Sequence, residues 1–318
     1  MVPVPTLPTG RFAPSPTGEL HLGNLRTALL AWLSARSHGR AFIVRMEDLD
    51  RVTSSPLHER DQLGALEALG IDWDGEVIRQ SDRFAIYDDA IATLAAADRT
   101  YECFCTRREI REAISAPHDA PTVSGLVADG AYPGTCRRLT ARQVGELRAE
   151  GRRPAIRLRA ESTLVRVVDE LHGPVSGIVD DVVLRRNDGV PAYNLAVVVD
   201  DAAQVVAEVV RGDDLLSSTP RQVLLQQLLG LPTPAYAHVP LVLGADGGRL
   251  AKRHGAVTLT QLGQIGIDGA ATLGLLAASA GLAEPGEKVS AQELVGRFDL
   301  HAIPSEPWVL PANLQRSE

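Results

Sequence analysis

A histidine, a glycine and an asparagine where a loop enters a helix can hold phosphate, and His21-Leu22-Gly23-Asn24 is such a run. Backbone N–H groups at a helix N-terminus favour an anion, glycine allows close approach to the chain, and an imidazole beside them can hydrogen-bond a phosphate oxygen. Taken alone, such a tetrapeptide is more often a helix-entry loop with a surface histidine. A second run, Gly244-Ala245-Asp246-Gly247-Gly248-Arg249-Leu250-Ala251-Lys252-Arg253-His254-Gly255, sets a basic cluster between glycines. It offers Lys252 on a mobile loop able to fold over polyphosphate, although Asp-Gly-Gly is also a good sequence for a solvated hairpin turn. Cys103-Phe104-Cys105 and Cys136 offer three thiolates, most of a tetrahedral structural zinc site. Cys-x-Cys is tighter than the common Cys-x2-Cys, and three buried, inert thiols are the other reading. Ligand chemistry alone selects His118 as the fourth ligand. Arg137, Arg138, Arg142, Arg148, Arg152, Arg153, Arg157 and Arg159 crowd the same region. They can track a nucleic-acid backbone, or lie on a solvated helix face paired with Glu146 and Glu150.

Elements in alternation must position these residues. A short strand through Arg11 and Phe12 breaks at Pro14-Ser15-Pro16-Thr17-Gly18, and a helical pattern runs from about Leu22 to Ser37, with Gly39 as its stop. Ala41 to Met46 reads as a buried strand, Glu47 to Asp50 as a loop, and Leu57 to Leu69 as a helix ending at Gly70. The pattern degrades between about Thr100 and Asp188, which holds all three cysteines. Alternation returns with a strand near Ala192 to Asp200, another at Glu208 to Arg211, a helix at Thr219 to Leu229 and a strand at Val239 to Leu243. The expected fold is α/β, a doubly wound parallel sheet of Rossmann type with an inserted subdomain. The expected divisions are a loose leader over 1–8, the first half of the core over 9–99, the insert over 100–188, the second half with the lysine loop over 189–256, and a short helical C-terminal region over 257–318.

Composition sets outer bounds. The 318 residues are 45% hydrophobic and 23% charged, ordinary for a globular protein. The longest apolar runs are far shorter than a membrane span and the N-terminus lacks the blocks of a signal peptide, so a cytoplasmic protein is expected. Three cysteines, two of them nearly adjacent, argue against a disulfide scaffold. A formal net charge of -8 argues against broad, non-specific binding of nucleic acid while leaving room for a local basic patch.

Arg11-Phe12-Ala13-Pro14-Ser15-Pro16-Thr17-Gly18, then His21-Leu22-Gly23-Asn24, then Arg45-Met46-Glu47-Asp48-Leu49-Asp50 resemble the N-terminal signature of glutamyl-type class I aminoacyl-tRNA synthetases. Tyr193-Asn194-Leu195-Ala196, Arg211-Gly212-Asp213-Asp214, Thr219-Pro220-Arg221-Gln222 and the loop at Arg249 to Arg253 follow in the family's order, so the resemblance covers roughly 9–260. It implies that the α-carboxylate of L-glutamate attacks the α-phosphate of ATP, which enters with Mg²⁺, giving glutamyl-adenylate and pyrophosphate. By the same resemblance His21, Gly23, Asn24 and Lys252 bind ATP, with His21 and Lys252 catalytic. Phe12, Ala13, Pro14 and Ser15 line the glutamate pocket, Arg11 and Arg211 read carboxylate, Glu47 faces the ammonium and Tyr193 adds a hydroxyl. The loop departs from the family in Arg249, where a lysine is usual, and in Ala251, where serine is usual.

The family also has a shortened branch, marked by Cys-x-Cys…Tyr-x3-Cys, and Cys103, Cys105, Tyr132 and Cys136 match it. That likeness makes Tyr132, instead of His118, the fourth ligand of one structural zinc. Only 62 residues (318 minus 256) follow the lysine loop, too few for the helical anticodon-binding region of a full glutamyl-tRNA synthetase. The branch implies glutamate activation without tRNA and transfer to the queuosine base at the wobble position of tRNA(Asp), by a monomer. The alternatives are a truncated glutamyl-tRNA synthetase charging the terminal adenosine, a non-catalytic tRNA- or glutamate-binding paralogue, and a ligase with another acceptor.

Overall fold

The computed structural model describes residues 7–115, 132–248, 250 and 257–314, with only the backbone at 112–115. Of the expected leader, only Leu7 and Pro8 fall within them. The chain opens with β1 (Thr9–Phe12), α1 (Leu22–Ser37), β2 (Ala41–Met46), α2 (Pro56–Ala68) and β3 (Ile78–Arg79). Here the expected helices and strands lie within a residue or two of those observed. Strands β1, β2 and β3 pair in parallel, β1 to β2 in the register Arg11 to Ile43. Gly10 lets β1 press on the first helix, since a Cβ there would stand 2.6 Å from the Cβ of Ala35.

Next come α3 (Phe84–Ala96), β4 (Thr100–Cys103), α4 (Arg107–Ser115), α5 (Ala141–Ala149), β5 (Ala155–Leu158), β6 (Thr163–Asp169), β7 (Gly173–Val179) and β8 (Val183–Arg185). Strands β4, β5 and β8 make a small antiparallel sheet with Cys103 at the end of β4. The β6–β7 hairpin behaves differently. It lies inside the stretch 100–188, yet β6 pairs in parallel with a core strand further along, through Asp169 and Tyr236.

The chain continues with α6 (Tyr193–Ala203), β9 (Glu208–Gly212), α7 (Thr219–Leu229), β10 (Ala235–Val239) and β11 (Val242–Leu243). Two expectations are corrected here. The segment Ala192 to Asp200, read as a strand, is helix α6. A short apolar run does not distinguish the two periods, and a helix suits this segment because the consecutive Asp200 and Asp201 must both point inward to buried partners. The strand expected at Val239 to Leu243 starts earlier and is split at Pro240, which has no N–H for a ladder.

The sheet β7-β6-β10-β9 is tied to the first sheet through Thr9, whose N–H donates to Val205 and whose carbonyl accepts from Ala207. Strand order therefore reverses between β1 and β9, and open α/β sheets leave a ligand crevice at the carboxyl ends of the strands at such a switch.

The last described elements are α8 (Leu259–Gln264), α9 (Gly269–Ser279), α10 (Ala291–Val295) and β12 (Trp308–Val309), and β12 pairs in parallel with β11. They share one apolar core with α1. Leu25, Leu29, Trp32 and Leu33 pack there with Leu276, Leu294 and Leu310, as expected of a helix apolar nearly all round. Arg26, almost fully buried in α1, donates to the carbonyls of Pro240 and Ser279 and to the Ser279 hydroxyl. Burial lowers its pKa to about 10. Among the described residues no helix is long and apolar enough to cross a membrane.

Candidate active site

A cleft of about 640 Å³ opens at the switch point, where Phe12 ends β1 and Gly212 ends β9. Its lining includes Arg11 to Ser15, His21, Gly23, Asn24, Glu47, Tyr193 and Arg211. It thus brings together every residue the sequence nominated for substrate or nucleotide except Lys252. That residue, with Arg249 and Ala251, lies outside the described residues, although Leu250 reaches the cleft wall.

One end of the cleft is the start of α1. His21 is its N-cap: the imidazole Nδ1 accepts from the Asn24 N–H at 3.2 Å, and the Asn24 side chain accepts from the His21 N–H at 3.3 Å. With Nδ1 occupied as an acceptor, a neutral ring carries its proton on Nε2. Gly23 makes room for this, because a Cβ there would meet the imidazole Cε1 at 2.9 Å. The helix entry is also bonded to the segment following the lysine loop, Leu22 N–H to the Val257 carbonyl, with a bridge between His21 and Thr258.

The other end of the cleft is charged. Arg11 donates through Nε to Asp201 at 3.5 Å, and its terminal nitrogens bond to no described residue. Arg211 is held differently, donating to His238 Nε2 at 3.0 Å, the Gln222 side chain at 2.8 Å and the Thr219 hydroxyl at 2.9 Å. Burial lowers its pKa. Glu47, its side chain about 10% exposed, lies 3.4 Å from Arg45. Burial raises its pKa, against the pull of Arg45 and Arg11. Tyr193, at the first turn of α6, is 37% exposed on the cleft wall.

Beneath these lie residues to which the sequence assigned no role, Arg45 entering only as part of a motif. Arg45 is fully buried, bonds to Asp201 at 2.8 Å and to the Gln204 side chain at 2.6 Å, and sits 3.7 Å from Asp200. Burial opposes its charge, yet Asp201, Asp200 and Glu47 together raise its pKa. Asp200 in turn accepts from Gln80, Arg83 and Tyr87. Gln62, also buried, donates to the Ser15 and Gly18 carbonyls and so fixes the loop that lines the cleft. The available signal was charge inside an apolar stretch, as with Arg45 within Ala41–Met46 and Asp200 directly after Leu195 to Val199.

The three cysteines meet at one edge of the small antiparallel sheet. Their sulfurs lie within 4.8 Å of one another, Cys105 and Cys136 at 3.4 Å. The Tyr132 hydroxyl stands 3.3 Å from Cys103 Sγ and 3.6 Å from Cys105 Sγ. Ligands of a tetrahedral zinc at about 2.3 Å for sulfur and about 2.0 Å for oxygen stand roughly 3.5–3.8 Å apart, so the set fits. Arg157 lies over the Tyr132 ring at 3.8 Å from its centroid. Hydrogen bonding from Cys136 and Tyr132, against burial, lowers the Cys103 pKa, and the same sharing raises that of Cys136. His118 lies outside the described residues.

The arginine cluster is largely occupied. Arg137 bonds Asp181, Arg142 bonds Glu146, Arg148 bonds Glu102 and Arg152 bonds Glu109. Arg157 and Arg159 donate to backbone carbonyls. Glu150 forms no ion pair among the described residues.

The family described as tRNA synthetases class I (E and Q), catalytic domain, matches residues 9–310. A Nocardia farcinica protein named glutamyl-Q tRNA(Asp) synthetase is 58% identical over 311 residues, 97% of this chain and 96% of its own length. A protein of the same name from Symbiobacterium thermophilum is 47% identical, covering 95% of this chain and 96% of its own. A solved glutamate tRNA ligase from Elizabethkingia meningosepticum, in complex with its amino acid, superposes with a TM-score of 0.80 at 28% identity, covering 96% of this chain and 68% of that one.

Proposed function

This chain belongs to the catalytic-domain family of class I tRNA synthetases for glutamate and glutamine, and we propose that it activates L-glutamate with ATP and transfers it to the queuosine base at the wobble position of tRNA(Asp). The observation that carries the first half is the cleft itself. One crevice holds two buried arginines, a largely buried carboxylate and a histidine-capped helix N-terminus. Glutamate presents two carboxylates and an ammonium, which this lining complements.

In the first step the glutamate α-carboxylate attacks the α-phosphorus of ATP in line, and pyrophosphate leaves. The chain's work is positioning and charge. Arg211 and Arg11 hold carboxylate, Glu47 holds the ammonium, and Tyr193 closes the wall. His21 and the first turn of α1 face the phosphates, with Lys252 completing that charge. In the second step the acceptor on the base attacks the acyl carbon of the adenylate, a new bond forms there and AMP leaves. We place adenylate formation before tRNA binding and assign the activity to a cytoplasmic monomer.

The queuosine acceptor is supported by the names of the near full-length relatives. It is supported also by the thiol and phenol set of Cys103, Cys105, Cys136 and Tyr132, which would hold one zinc ion. That ion cross-links β4 to the segment around Tyr132 and Cys136 when bound.

Transfer of labelled glutamate, with ATP and Mg²⁺, onto total tRNA from queuosine-competent and queuosine-deficient cells tests the proposal. Label on the competent tRNA alone is expected. Label on both would return the protein to ordinary aminoacylation, and label on neither would point to another acceptor.

A further inference from the structure

Arg211 differs from most buried arginines in having no carboxylate bonded to it among the described residues. Its three nitrogens donate to an imidazole, an amide and a hydroxyl, all neutral acceptors. The face of the Tyr236 ring lies 5.4 Å from its guanidinium carbon. A guanidinium has five N–H bonds; three are used here, which leaves one on each terminal nitrogen. Two N–H donors on the terminal nitrogens of one guanidinium can be shared by a single carboxylate. The positive charge and the two spare donors are therefore both kept for something in the cleft.

The arrangement depends on His238, a fully buried residue of β10. For its Nε2 to accept from Arg211, the ring must be neutral and carry its proton on Nδ1. Nδ1 lies 2.5 Å from Asp169 Oδ2. Asp169 is itself fixed by the N–H groups of Leu171, His172 and His238 on its other oxygen. The remaining groups that face the ring are the Thr219 hydroxyl at 3.2 Å, Tyr236 stacked at 6.1 Å, and His172, whose Nε2 lies 3.0 Å from the His238 carbonyl. Asp169 comes from the hairpin strand β6, so this hairpin contributes to the site without touching the cleft. Burial and the nearby Arg211 oppose charge on His238 more than Asp169 favours it, consistent with a neutral ring.

We propose that Asp169 and His238 are positioning residues: Asp169 holds His238 as the Nδ1–H tautomer, and that tautomer aims the two unused N–H bonds of Arg211 at a carboxylate of the substrate. The proposal rests on the glutamate reading for the identity of that carboxylate, and on geometry alone for the tautomer.

Long-range proton–nitrogen correlation NMR on the wild-type protein is the first test. His238 should appear as the neutral Nδ1–H form and remain neutral at mildly acidic pH where an ordinary histidine is charged. A cationic ring or the Nε2–H form at neutral pH overturns the proposal, even for an enzyme that activates some other carboxylate. The second test is glutamate-dependent pyrophosphate exchange. Asp169→Asn lets Nδ1 accept from the amide, moving the proton to Nε2, where it opposes the Arg211 N–H. The KM for glutamate should rise roughly tenfold to a hundredfold, with kcat and the KM for ATP changed much less. Adding His238→Gln, which offers Arg211 a carbonyl acceptor independent of residue 169, should recover part of the loss. An unchanged glutamate KM in Asp169→Asn overturns the relay, as does a double variant no better than the single one. Absence of any glutamate-dependent exchange in the wild type counts against the glutamate reading instead.

Discussion

Two arginines of the same type do different work because their partners differ. Arg11 shares Asp201 with Arg45, so part of its charge is compensated, whereas Arg211 is bonded only to neutral groups. Glu47 completes the set as an acid whose pKa burial raises against the pull of Arg45 and Arg11. The sign of the pH effect follows. As pH falls toward that raised pKa, Glu47 loses the charge that attracts the glutamate ammonium. The KM for glutamate should therefore climb on mild acidification, sooner than for a water-exposed carboxylate. Glu47→Gln should raise that KM at neutral pH by roughly tenfold to a hundredfold and flatten the profile, measured by pyrophosphate exchange. A profile as steep as the wild type's would assign the titration elsewhere. In the free protein the same shift works against stability as pH rises, since an acid whose pKa is higher when folded binds its proton more tightly in the folded state.

At the scale of an element, α1 shows why local sequence and function coincide. The helix starts at His21 because its imidazole and the Asn24 amide cap each other's backbone groups, and the same capping fixes the ring at the α1 end of the cleft. Gly23→Ala tests whether the ring's place matters. Alanine in a helix is favoured by about 0.5–1 kcal/mol over glycine, while displacing the imidazole removes a cap worth about 1 kcal/mol. The thermal midpoint should hardly move. Pyrophosphate exchange should fall at least about tenfold with a raised KM for ATP, since a misplaced phosphate-facing group affects the reaction and not the fold. Retained exchange would show that α1 needs only its backbone there. Helix α6 makes the converse point, because nothing in Leu195 to Val199 alone fixes its period. The buried demands of Arg45, Gln80 and Arg83 on Asp200 and Asp201 accompany the helix.

At the scale of the molecule, the buried apolar residues among those described form two large cores and one small cluster around Tyr101, Cys103, Tyr132 and Cys136. That separation predicts what removing the proposed zinc would do. Stripping the metal with a chelator, or substituting Cys105→Ser, should speed amide hydrogen exchange in β4 and β5. Glutamate-dependent pyrophosphate exchange should stay within about twofold, because the cleft is built from the other two cores. Loss of both together would show that the cluster supports the cleft. How much of this was legible in the sequence depended on range. Runs in which neighbours along the chain are also neighbours in space could be read directly: the loop from Arg11 to Gly18, the helix from Leu22 to Ser37, the strand from Ala41 to Met46, and the spacing of the cysteines. Tertiary structure alone decided the pairing of Asp169 with His238 and of Arg45 with Asp201, the helical state of α6, the break at Pro240, and the attachment of the β6–β7 hairpin to the core sheet. The reason is physical. Hydrophobic period and turn chemistry act within a few residues, whereas a buried charge takes its partner from whichever segment the sheet order places beside it, here 69 residues away for Asp169 and 156 for Arg45.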